Sequence, residues 1–75
     1  MSLLPTIKAA ELVKFLRGQG FVEDRQSSGH LVLRHPERKL SITVPVGTGC
    51  DLGRSVTSRI LKDAGIFTEY FIRRR

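Results

Sequence analysis

The chain has one cysteine, no tryptophan, and no apolar run of the roughly 18 residues that a membrane span requires. With a single cysteine, Cys50, there is no intramolecular disulfide and no thiolate metal cluster, so a reducing compartment is the simplest expectation. The carboxylate of Asp51 beside Cys50 opposes a thiolate and argues against a nucleophilic role. The opening stretch MSLLPTIKAAELVKFLRGQG lacks the basic segment ahead of an apolar one that marks a secretory leader, and the cytosol is the expected location. Gly47-x-Gly49 has neither a dinucleotide fingerprint around it nor a following Gly-Lys-Ser/Thr, so it reads as a plain loop.

Acidic residues are also few. Seven Asp and Glu stand against thirteen Lys and Arg, a formal net charge of +6. The carboxylates are scattered without ligand spacing, which disfavours a metal-dependent nuclease, and no metal or other cofactor is expected. The basic surplus favours a polyanionic partner, because cationic side chains on phosphates release condensed counterions. An acidic protein partner would answer the same charge. At 75 residues the chain reads as one domain with one modest core and no room for a deep cofactor cleft.

What is present is periodic. Ala9, Leu12, Val13 and Leu16 recur at helical steps, with Thr6 as the expected cap and Gly18 or Gly20 as the stop. Residues 21–26 read as a short, irregular strand weakened by Glu23 and Asp24, followed by a Ser27-Ser28-Gly29 turn. In the next strand, residues 30–35, alternation places His30, Val32 and Arg34 on one face and Leu31, Leu33 and His35 on the other. His35, beside Pro36, is expected to be an exposed turn residue, with a phosphate contact as its best alternative role. Residues 39–45 form a cleaner strand, so that Leu31, Leu33, Leu40, Ile42 and Val44 face the helices while His30 shares the open face with Arg34, Ser41 and Thr43.

A second helix carries the stripe Val56, Ile60, Leu61 and Ala64 and stops at Gly65. Thr68 is expected to cap a last short helix, with Phe71 and Ile72 available to the core. Helices covering one face of a three-stranded antiparallel sheet make the class α+β.

His30 is the residue with chemistry to offer. Imidazole is the side chain that titrates near neutrality, which suits it to moving the proton of a ribose 2′-hydroxyl or of a leaving oxygen. Arg25, Arg34 and nearby lysines would supply positive charge where a phosphorane develops. Against this stands the plain reading of an exposed strand histidine. The terminal Arg73-Arg74-Arg75 reads either as a phosphate grip or as a solvated chain end.

The succession Gly20-Phe21, Arg25-Gln26, Ser28-Gly29-His30, Thr43-Val44-Pro45 and Ile60-Leu61-Lys62-Asp63-Ala64-Gly65-Ile66, closed by Phe71, resembles the HicA family of toxin–antitoxin modules over residues 8–72. The resemblance implies a double-stranded-RNA-binding-like α-β-β-β-α fold and a metal-independent ribonuclease that cleaves mRNA and halts translation. It also implies a HicB-type antitoxin that masks the active surface. His30 falls on the family's catalytic histidine, and Arg25, Ser28, Gly29, Arg34 and Lys39 are the residues expected to hold RNA. The chain departs from the family pattern twice: the usual Gly-Ser-His reads Ser28-Gly29-His30, and Gly47 stands where many members have histidine. Two readings compete with the ribonuclease. One is a non-catalytic RNA-binding module of the same fold, and the other is a protein-interaction subunit.

Overall fold

The computed structural model describes residues 6–27, 29–47 and 51–74. The chain runs β1 (Ile7–Lys8), α1 (Ala9–Gly18), β2 (Val22–Ser27), β3 (His30–His35), β4 (Leu40–Pro45), β5 (Asp51–Leu52), α2 (Arg54–Asp63) and α3 (Thr68–Arg74). β2, β3 and β4 form one antiparallel sheet in that order, and β1 pairs with β5 in a separate two-stranded ribbon. The expected α+β class and the order helix, three strands, helix, short helix are both present.

Helix α1 buries Ala9, Leu12, Val13 and Leu16, as their spacing predicts, but it starts later than a cap at Thr6 would place it. Lys8 occupies the capping position in extended conformation, and no side chain caps the helix. The reason lies in the β1–β5 ribbon, where Ile7 pairs with Leu52 and both are 2% exposed. Burying two such side chains is worth about 1.5–3 kcal/mol each, against about 1 kcal/mol for a cap. The ribbon also brings Lys8 Nζ to 3.4 Å from Asp51 Oδ1, an exposed pair that contributes little.

Both long helices close in the same way. The Phe21 N–H reaches the Leu16 carbonyl and the Gly20 N–H the Arg17 carbonyl; the Ile66 N–H reaches Leu61 and the Gly65 N–H reaches Lys62. This double closure satisfies end carbonyls and needs a left-handed residue, and Gly20 and Gly65 supply it with φ of 101° and 75°.

Leu31, Leu33, Ile42 and Val44 project from the sheet into one core with Leu12, Leu16, Leu61 and Phe71. Leu40 packs against its edge. Three expectations need correction. His35 is not an exposed turn residue: it is 7% exposed, its ring meets Phe21 edge-on at 5.1 Å, and burial rules out a phosphate contact. Its Nδ1 accepts the Arg38 N–H at 3.1 Å and its Nε2 lies 3.2 Å from the Gln19 carbonyl. A buried imidazole is tolerated because both ring nitrogens have partners. Strand parity, which set His35 with Leu31 and Leu33, outweighs the neighbouring proline.

In α2 the buried stripe is Thr57, Ile60 and Leu61, continued by Ala64, while Val56 is 42% exposed. Residues 57, 60, 61 and 64 keep the i, i+3, i+4, i+7 spacing, and Val56 lies about 100° off that line. Thr68 does not precede α3 but begins it, and the Phe67 carbonyl accepts the first bonds, from Tyr70 and Phe71. Arg38, in the β3–β4 turn, donates from Nη1 to the Ala64 carbonyl at 3.4 Å and so ties the sheet to the C-terminal end of α2.

Candidate functional site

The face of the sheet away from the core carries the candidate residues. Cross-strand partners share a face, so the register lays out three rows across the sheet: Ser27, His30 and Pro45; Arg25, Val32 and Thr43; Val22, Arg34 and Ser41. His30, Arg25, Arg34, Ser41 and Thr43 are all exposed. The parity expected for His30 and Arg34 holds.

Arg25 reaches this face through a feature that alternation alone does not anticipate. The β2–β3 register shifts between Glu23 and Arg25, so that Glu23 pairs with Leu33 and Arg25 with Val32. Asp24 is the extra residue of this bulge. Without it, Arg25 would fall on the core side with Glu23. With it, Arg25 stands diagonal both to His30 and to Arg34, at the roughly 7–8 Å of such neighbours, within reach of long side chains. Glu23, on the other side of the strand, pairs with Arg17 of α1 at 3.4 Å. The rows around His30 thus hold two guanidinium groups and the hydroxyls of Ser27, Ser41 and Thr43, with no carboxylate in them.

The approach to His30 is set by a tight turn. Gly29 has a φ of 78°, and its carbonyl accepts the Val46 N–H at 2.7 Å, which extends the β3–β4 ladder one step past His30. A Cβ at Gly29 would lie 3.7 Å from the Gly47 Cα, so the two loops meet at the His30 end of the sheet. Gly47 is exposed, and a Cβ there would meet nothing within 4 Å. Gly47, where the resemblance leads one to expect histidine, therefore lies beside the Gly29 turn and is open. Ser28 lies outside the described residues.

Lys39 is not part of this cluster. It sits in the β3–β4 turn with a φ of 55°, next to the Leu40–His35 pair. That is the end of the sheet opposite His30, about 17 Å away along the strand. Charge alone suggested Lys39, and its place in the turn sets it apart from the residues around His30. The bulge had one sequence signal, the strand-breaking pair Glu23-Asp24, but nothing in composition fixed which residue would loop out.

A family model described as the HicA toxin of bacterial toxin–antitoxin systems matches residues 9–66. The chain belongs to the HicA toxin family. The matched span takes in α1, the whole sheet and α2, and leaves α3 outside it. No curated protein matches the chain. As a HicA toxin it is the toxin of a toxin–antitoxin pair, from a family whose members are generally ribonucleases, and it has an antitoxin partner. Among the described residues, no helix is long and apolar enough to cross a membrane.

Proposed function

We propose that this HicA toxin is a metal-independent endoribonuclease that cleaves mRNA and so halts translation, with His30 as its proton-transfer residue. The observation that carries the reading is the grouping of His30 with Arg25 and Arg34 on one exposed sheet face. Cleavage by the substrate's own 2′-hydroxyl needs only proton transfer and charge stabilisation. The 2′-oxygen attacks the adjacent phosphorus and gives up its proton, the P–O5′ bond breaks, and the leaving 5′-oxygen takes a proton. The products are a 2′,3′-cyclic phosphate and a 5′-hydroxyl.

His30 moves the proton at one of these oxygens. Arg25, diagonal to it, holds the phosphate whose charge grows in the transition state, and Arg34 holds a phosphate farther along the strand. The Gly29 turn fits this role, because a residue without a side chain leaves the ribose-phosphate backbone room beside the imidazole. Ser28 and Gly29 would contact the same stretch of RNA. Lys39, about 17 Å from His30, would touch only a distant part of a long substrate.

The test is growth arrest on expression. His30→Ala abolishes arrest while the purified protein melts as the parent does, because an exposed side chain is removed. A folded His30→Ala protein that stays fully toxic overturns the reading in favour of a non-catalytic RNA-binding module.

A further inference from the structure

The two edges of the sheet differ in kind. β2 carries Glu23, Asp24 and Arg25 in succession and is kinked by the bulge, features that resist the addition of another strand. β4 has neither. Leu-Ser-Ile-Thr-Val-Pro is uncharged, and its register with β3 runs unbroken from His35↔Leu40 to His30↔Pro45. Among the described residues no further strand pairs with it.

The backbone groups this edge presents follow from one hydrogen bond. Val46 donates its N–H to the Gly29 carbonyl, so Gly29 and Val46 are a bonded pair. Antiparallel ladders alternate bonded and non-bonded pairs. Leu31–Val44 and Leu33–Ile42 are then bonded, and Ser41 and Thr43 turn their N–H and C=O groups away from β3. Pro45 agrees with this parity, since it has no N–H and stands where the ladder with β3 requires none. Ser41 and Thr43 are both exposed. The edge is a template of alternating donors and acceptors for an extended chain.

We propose that β4 is the docking edge for an extended, acidic segment of the antitoxin, added as a further strand of the sheet. The inference rests on the toxin–antitoxin pairing and on the open face being the RNA-cleaving surface. An added strand lies about 4.8 Å from β4, with every second side chain on the open face. Carboxylates at those positions reach across Pro45, Thr43 and Ser41 toward His30, Arg25 and Arg34 and occupy the charge that RNA would use. Main-chain bonds supply affinity, and the acidic side chains supply specificity and inhibition. The chain's charge of +6 favours that occupant over a second copy, which would bring like charge to the same edge.

Amide hydrogen exchange, residue by residue, tests this on the toxin alone and on its complex with its purified antitoxin. In the free chain the Ser41 and Thr43 amides exchange much faster than those of Ile42 and Val44, whose N–H groups face β3. In the complex, Ser41 and Thr43 slow by roughly 100-fold or more. Thr43→Pro, which removes an outward N–H, weakens the complex roughly tenfold or more, while Thr43→Val, which keeps it, binds as the parent does. A formed complex with Ser41 and Thr43 still unprotected overturns the proposal. Protection that appears in the toxin alone as its concentration rises also overturns it, and assigns the edge to a second copy. The exchange readout needs no variant to fold and no RNA to be cleaved. A chain that docks this way yet cleaves no RNA would overturn the ribonuclease reading and leave the docking edge standing.

Discussion

Arg25 stands diagonal to His30 on the open sheet face because Asp24 is looped out of the ladder between the Glu23–Leu33 and Arg25–Val32 pairs. The packing of β2 does not require Arg25 there, since all six residues of the strand are exposed. Arg25→Ala and Arg34→Ala are each expected to lower RNA cleavage roughly 10–100-fold and to change stability by no more than about 0.5 kcal/mol. Lys39→Ala, at the far end of the sheet, leaves cleavage near the parent rate. Initial rates on one RNA substrate, with melting curves alongside, check all three. A loss at Lys39 equal to that at Arg25 would contradict the placement.

On the proposed reading the same two arginines set a salt dependence. For single-stranded nucleic acid, log K falls with log salt by roughly 0.7 for each phosphate neutralised. RNA binding by the His30→Ala protein should show a slope of roughly −1.4 or steeper, reduced by about 0.7 when Arg25 or Arg34 is also replaced. Titrations across a salt series measure it. A slope unchanged by Arg25→Ala would remove that residue from the phosphate path.

Gly20 and His35 form a structural contact far from this chemistry. Gly20 has a φ of 101°, and a Cβ there would stand 2.7 Å from His35 Nε2. Gly20→Ala therefore meets both backbone strain and a collision, and is expected to cost about 2–4 kcal/mol. With His35→Ala already present the collision is gone and only the strain of the backbone, about 1 kcal/mol, remains. Urea denaturation of both single variants and the double variant gives the coupling directly.

Thr57 offers a gain. Its side chain is 0% exposed, and its Oγ1 has no hydrogen-bond partner among the described residues. A buried hydroxyl without a partner costs about 1–3 kcal/mol, and Thr57→Val keeps the shape while removing it. The variant is expected to be more stable by about 1 kcal/mol, read as a higher urea midpoint at unchanged slope.

Much of this fold was legible in the periodicity of a few residues. Leu31, Leu33, Ile42 and Val44 alternate cleanly, and that alternation by itself places His30 and Arg34 on the open face. Gly65 marked the end of α2, and of the two glycines that could stop α1, Gly18 and Gly20, it is Gly20 that takes the left-handed conformation. What escaped was decided by partners distant in sequence. Ile7 joins a ribbon with Leu52, which moves the start of α1 past Thr6. His35 has core-side parity in the alternation of residues 30–35, but Pro36 beside it points to a turn, and the partners that hold its ring, Gln19 and Phe21, are distant in sequence. The phase of α2, with Thr57 inside and Val56 outside, turns on a rotation of one residue that the polarity of threonine argued against.

The most direct test is to incubate the purified chain and its His30→Ala variant with a long single-stranded RNA in EDTA and to map the fragment ends. The account predicts cleavage by the parent alone, leaving 2′,3′-cyclic phosphates and 5′-hydroxyls. Equal cleavage by both proteins, or none by a folded parent, would contradict it.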